Sequence, residues 1–175
     1  MNMKPIIPVT SKSHRLTSVV LISFLLAFSF LGYGQSSSVQ RKIVVSKQQL
    51  RLYVVEGKDT ICNFPCAAGS NLGNKTKVGD CKTPEGTFSI CQIQDSRTWV
   101  HDFHDGAGAR AGAYGNWFIR LKVPGASGIG IHGTCFPESI GTRSTEGCIR
   151  LRNEDLNKLI KYVKVGMECV IEKDN

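Results

Sequence analysis

The chain is 175 residues long and carries 22 Lys and Arg against 14 Asp and Glu, a formal net charge of +8. That length fits one ordinary domain with its own core and leaves little room for two. A hydrophobic fraction of 41% with 21% charged residues excludes an intrinsically disordered chain, so the basic excess is the first feature to explain.

In chain order, Lys4, Lys12 and Arg15 come first, followed by an uncharged apolar run from Leu16 to Leu31 and then Gly32, Tyr33 and Gly34. Basic, apolar and small residues in that sequence read as a secretory signal peptide over residues 1–34. The alternative is a retained membrane anchor, but sixteen residues are short against the ~20 that a span needs. No cysteine follows before Cys62, which argues against a lipid-modified terminus. Removing residues 1–34 takes away three basic and no acidic residues and leaves 19 against 14, or +5. Much of the basic excess is thus targeting, and no nucleic-acid partner is expected; contact with the membrane is expected only through an uncleaved signal segment.

Residues 35–41 are polar and read as a short linker ahead of a domain at 42–173. Ile43–Val45 is short and β-branched. Leu50, Leu52 and Val54 alternate with Arg51 and Tyr53, the period of a half-buried strand. Glu56–Asp59 supplies a hairpin turn, and Thr60–Ala68 returns. Gly69–Lys82 is expected to be an exposed loop, with Lys75, Lys77 and Lys82 as a basic surface suited to acidic polymers. Strands are expected around Phe88–Ile93 and from Trp117 to Val123, with short apolar pieces at Ile129–Ile131 and Cys148–Leu151. One helix is expected, capped by Asn153, with Leu156, Leu159, Ile160 and Val163 on one face, Lys161 and Lys164 in its last turn and Gly166 as its stop. A final strand is expected at Glu168–Glu172. The fold class is therefore mostly β, a β-rich α+β domain with one late helix.

The chemistry concentrates in Ile131-His132-Gly133-Thr134 and Ser144-Thr145-Glu146-Gly147-Cys148-Ile149-Arg150-Leu151. If the two short apolar segments pair in one sheet, imidazole and thiol come within reach. The imidazole can then take the thiol proton, leaving a thiolate nucleophile near neutral pH. Amides near Gly147 and Cys148 could face an oxyanion. Arg150, two residues on, shares a face with Cys148; it could favour the thiolate and hold a substrate carboxylate.

These residues resemble the signature of the L,D-transpeptidase catalytic domain, the YkuD-type fold: His-Gly, an intervening loop, then Ser/Thr-His-Gly-Cys-x-Arg. The resemblance extends to Gly79-Asp80-Cys81-Lys82-Thr83-Pro84-Glu85-Gly86-Thr87-Phe88, to Tyr114-Gly115-Asn116-Trp117-Phe118 and to Pro137-Glu138-Ser139-Ile140-Gly141. It implies a β-sandwich with one late helix, and an exported, periplasmic or wall-associated acyltransferase acting on peptidoglycan stem peptides. In it Cys148 attacks the carbonyl before the terminal D-Ala, and an amine resolves the thioester to a 3-3 cross-link. His132 is then the base and the Gly133 carbonyl orients it, while Thr145, Gly147 and Arg150 serve oxyanion or substrate. Tyr114 and Trp117 would line the substrate groove. No metal or organic cofactor is implied, and carbapenem-type β-lactams become candidate covalent inhibitors. A carboxypeptidase or a wall-protein attachment enzyme on the same fold is the alternative, and a non-catalytic wall-binding domain another. One departure is plain: the family's His before Gly-Cys is Glu146 here.

His101 and His104, with Cys62 and Cys66, allow a weaker zinc reading, against which their loose spacing counts. The better reading is a loop along the groove, with Gly106–Gly115 as a flap. Seven cysteines is an odd number, so at least one thiol is free or paired between chains. The six besides Cys148 are either disulfides or small buried apolar residues.

Overall fold

The computed structural model describes residues 40–174. The expected signal peptide at 1–34 and most of the expected linker lie outside the described residues. In chain order the strands are β1 Arg41–Ser46, β2 Arg51–Glu56, β3 Asp59–Pro65, β4 Ala68–Gly69, β5 Gly86–Asp95, β6 Val100–Asp102, β7 Ala109–Ala111, β8 Trp117–Lys122, β9 Gly130–His132, β10 Arg143–Thr145, β11 Ile149–Arg150 and β12 Glu168–Ile171. The helix, α1 Asn153–Leu159, lies between β11 and β12.

The alternation read from the sequence organises the sheet. Ile43 and Val45 of β1 lie opposite Val54 and Leu52 of β2, and all four are fully buried. Leu50 is not the start of β2: its φ is 51°, so the chain is still turning there and the strand begins at Arg51. Eight strands form one sheet in the order β11-β9-β8-β5-β12-β1-β2-β3. The sheet curls until its two ends meet. Ala67, just past β3, exchanges backbone hydrogen bonds with Arg150 of β11 at 2.8 and 3.0 Å. The enclosed faces bury Leu52, Ile90, Ile119, Ile131, Ile149 and Ile171 in one core. The mostly β domain with one late helix is thus what forms, with the sandwich-like core produced by a single curled sheet.

The helix is shorter than expected, ending at Leu159 ahead of Lys161 and Lys164. Its N-cap is Arg152, not Asn153, and no side chain caps it. Asn153 instead serves the neighbouring loop. Its Oδ1 accepts from the Thr134 N–H and its Nδ2 donates to the Thr134 carbonyl, both at 2.9 Å. That amide ties the start of α1 to the loop leaving β9. Leu156 and Leu159 supply the buried face.

One cluster of buried charge has no counterpart among the sequence expectations. Lys47, 1% exposed, pairs with Glu85 at 2.6 Å and with Asp174 at 2.8 Å, and donates to the Gly73 carbonyl at 3.0 Å. Arg143 of β10 also bonds Asp174. The cluster fastens the segment 73–85 and the C-terminal residues to the turn after β1.

Candidate active site

Strands β9 and β11 pair in parallel with His132 opposite Arg150, and β8 flanks β9 with Phe118 opposite His132. Strand alternation then divides these residues. Ile119, Ile131 and Ile149 enter the core, while Phe118, His132 and Arg150 face outward into a groove of about 510 Å³. Cys148, one residue before β11, lines the same groove. Pairing of the two short apolar segments does bring imidazole and thiol to one site.

His132 is 4% exposed. Phe118 stacks on its ring at 5.6 Å with planes 8° apart, and Tyr114 meets it edge-on at 5.0 Å. Its Nδ1 lies 2.6 Å from the Gly133 carbonyl. A carbonyl only accepts, so Nδ1 carries the proton and Nε2 is the free lone pair. Burial among these rings drives the imidazole pKa down to about 3, outweighing the Gly133 bond that favours the cation; Arg150 and His101 lower it further. The resting ring is neutral. Gly133 has to be glycine, because a Cβ there would overlap Asn153 Oδ1 and approach Gly115 Cα to 2.9 Å.

Cys148 donates its thiol proton to the Gly128 carbonyl at 3.3 Å. Desolvation pushes its pKa up to about 11, against the Gly130 amide, Arg150 and Lys75, which favour the thiolate, and alongside Glu146, which opposes it. The expected proton transfer from the thiol to His132 then belongs to the reaction and not to the resting state. The Arg150 charge does act in the expected direction, but burial outweighs it, and the resting pair is thiol and neutral imidazole. Alkylation of Cys148 by iodoacetamide, followed by peptide mapping, should climb about tenfold per pH unit between pH 7 and 9. A plateau below pH 8 would mean a preformed thiolate.

The loop ahead of Cys148 is braced by Thr145, whose hydroxyl donates to the Cys148 carbonyl at 2.7 Å and accepts the Gly147 N–H at 3.1 Å. With the Gly147 amide engaged by Thr145, which is 3% exposed, the Cys148 amide is the freer of the two expected oxyanion donors. No protein acceptor meets the Cys148 N–H among the described residues. Gly147 adopts φ +130°, and a Cβ there would lie 2.6 Å from the Lys82 carbonyl. Arg150 donates to Ser139 Oγ at 3.0 Å, while its Nε is buried without a partner.

Tyr114 lines the groove as expected, but Trp117 does not. It shares strand parity with Ile119 and Leu121 and packs on the core, and Trp99 with Phe118 take the place expected for it. Within the stretch 106–115, expected to form a flap, Ala109–Ala111 is β7 and pairs with β6, which carries His101 to the groove. Lys75, expected on a solvated loop, has a side chain only 7% exposed that pairs with Asp80 at 2.8 Å. That carboxylate also accepts the Thr76, Lys77 and Lys82 amides, and with Lys75 they hold it well below the usual carboxylate range. The Gly-Asp segment hinted at this loop; the burial of Lys75 had no sequence signal.

All seven cysteines are free thiols. Cys66 and Cys169 are buried core residues, and Cys135 is exposed. No group of three or more potential metal ligands occurs among the described residues; Cys62 of β3 and Cys66 just beyond it pack on the core and do not line the groove.

A family model described as the L,D-transpeptidase catalytic domain, YkuD, matches residues 40–171. YqjB of Bacillus subtilis (strain 168), named as an L,D-transpeptidase, is 32% identical over 135 residues, covering 76% of this chain and 72% of that protein. YcfS of Escherichia coli (strain K12), similarly named, is 30% identical over 144 residues; the match takes 74% of this chain but only 43% of its own length. Among solved structures, L,D-transpeptidase 3 from Mycobacterium tuberculosis, in complex with a faropenem-derived adduct, superimposes with a TM-score of 0.57 at 15% identity, over 76% of this chain and 60% of that one.

Proposed function

We propose a function from one premise: the chain belongs to the YkuD family of L,D-transpeptidase catalytic domains. On that premise the protein is an exported peptidoglycan L,D-transpeptidase, working at the wall, with Cys148 as nucleophile and His132 as base. Export rests on the pattern of residues 1–34. No helix among the described residues is long and apolar enough to cross a membrane.

The observation that carries the reading is the His132–Gly133 hydrogen bond of 2.6 Å, which leaves Nε2 unprotonated in the groove that Cys148 lines. As sulfur attacks the carbonyl before the terminal D-Ala, its proton passes to Nε2 and the Cys148 N–H meets the oxyanion. Collapse breaks the C–N bond, the imidazolium protonates the departing D-Ala amine, and a thioester remains. An acceptor amine then forms the new C–N bond, C–S breaks, and the thiol is restored, giving the 3-3 cross-link. No step asks for a metal or organic cofactor. Arg150 lines the groove, and its charge suits a stem carboxylate. The same attack on a strained β-lactam carbonyl would leave carbapenem-type β-lactams covalently on Cys148; the Mycobacterium tuberculosis structure of like fold holds a faropenem-derived adduct.

Incubation with purified disaccharide-tetrapeptide, with products separated by mass, tests the reading. Cross-linked dimers and free D-Ala are expected. Hydrolysed tripeptide alone would reduce the enzyme to a carboxypeptidase, and no turnover with a folded protein would favour a wall-binding domain.

A further inference from the structure

The groove holds a side-chain chain that thioester formation does not use. Tyr114 Oη lies 3.0 Å from His101 Nδ1, and His101 Nε2 lies 3.5 Å from each carboxylate oxygen of Glu146. The directions are fixed by chemistry. With Nε2–H turned toward the carboxylate, Nδ1 accepts the Tyr114 hydroxyl proton. Burial, with Cys148 and Glu146 nearby, raises the Tyr114 pKa, so that hydroxyl keeps its proton. The chain spans the groove from β6 to the residue two before Cys148.

Glu146 is the only acid lining the groove among the described residues, against the cations Lys75, Arg120 and Arg150. Those cations have partners of their own: Lys75 holds Asp80, Arg120 donates to Gln94, and Arg150 donates to Ser139. Among the described residues Glu146 meets only His101 as a charged-group partner, and its side chain is 60% exposed. Its charge opposes the thiolate that starts the reaction. Once the thioester has formed the sulfur carries no charge, and that opposition ends. What then approaches the acyl carbon, in the reading above, is an amine that reaches the groove as an ammonium ion; it gives one proton to solvent before attack, and as the C–N bond forms a second passes through His132 Nε2 to the departing thiolate.

We propose that Glu146, positioned by His101 and Tyr114, is the docking group for the acceptor's primary ammonium, and so sets the choice between transfer and hydrolysis. The inference rests on the transpeptidase reading and names the subsite within it. The groove is thereby two-signed: an acid for the acceptor's ammonium, and an arginine for a stem carboxylate.

The test compares wild type with Glu146→Gln, which keeps the shape and removes the charge. Each is acylated with disaccharide-tetrapeptide, then partitioned between water and either a second tetrapeptide carrying a free side-chain ammonium or hydroxylamine, which is uncharged near neutral pH. The transfer-to-hydrolysis ratio does not depend on how fast the thioester forms. For the ammonium acceptor it should fall about fivefold in Glu146→Gln, the scale of a solvent-exposed ion pair, and the wild-type ratio should decline with added salt. For hydroxylamine it should not move. An unchanged ratio for the ammonium acceptor, or an equal fall for hydroxylamine, would overturn the proposal. Absence of any thioester on wild-type Cys148 would instead overturn the transpeptidase reading beneath it.

Discussion

Cys148→Ala is expected to abolish the covalent intermediate and all turnover on tetrapeptide stems while leaving the fold in place. Two features make the loss complete. The neutral His132 keeps a free Nε2, and the parallel pairing of β9 with β11 brings it and Cys148 to one groove. The loop ahead of the thiol is braced by Thr145 and passes tightly over the Lys82 carbonyl at Gly147, which fixes where Cys148 enters the groove. Cys148 sits at the groove and not in the core, so removing its sulfur should cost about 1 kcal/mol or less of stability. Circular dichroism and the melting temperature check the fold, and mass spectrometry checks the adduct. Turnover that survives in the alanine variant would remove Cys148 from the mechanism.

Lys47→Met should be the most destabilising single change outside the apolar core. The ammonium is 1% exposed and bridges Glu85 and Asp174, whose side chains are 12% and 8% exposed. Burial raises the pKa values of both carboxylates, yet their bonds to Lys47 and to neighbouring donors hold both below the ordinary range. Removing the cation strands two buried negative charges, with Arg143 left for Asp174 alone. Breaking a buried pair in this way costs about 3–5 kcal/mol, or roughly 10–20 °C in Tm for a domain of this size. Adding Glu85→Gln should recover part of the loss, because the orphaned charge is then gone. The same depressed carboxylates make a second contribution visible with pH. Their stabilisation is present above the unfolded pKa values near 4 and is lost as pH falls through the lower folded values. A Tm within about 3 °C of wild type for Lys47→Met would show that the cluster does not hold the 73–85 segment.

Most of the sheet is legible because its residues alternate. Ile43, Val45, Leu52 and Val54 announce β1 and β2, and Trp117 to Lys122 announce β8. The same alternation places Trp117 with Ile119 and Leu121, so assigning it to the groove misreads a parity that the sequence displays. The His132–Cys148 site is legible from its glycines and from Arg150. What cannot be read are partners brought in from far along the chain. Asn153 looks like a helix cap and instead bonds a loop 19 residues away; Lys47 looks like a surface turn residue and is buried against groups 38 residues downstream and further. The resting state of the thiol is hidden for a different reason: sequence counts nearby charges, whereas the pKa of Cys148 is raised first by how much water the fold takes away.

The most direct test of the central claim is the intact mass of the wild-type protein during reaction with disaccharide-tetrapeptide, with the modified peptide mapped. A single acyl adduct on Cys148, lacking the terminal D-Ala and discharged when a diamino acceptor is added, is the expected result. An adduct on another residue, or no adduct while D-Ala is released, would contradict the account.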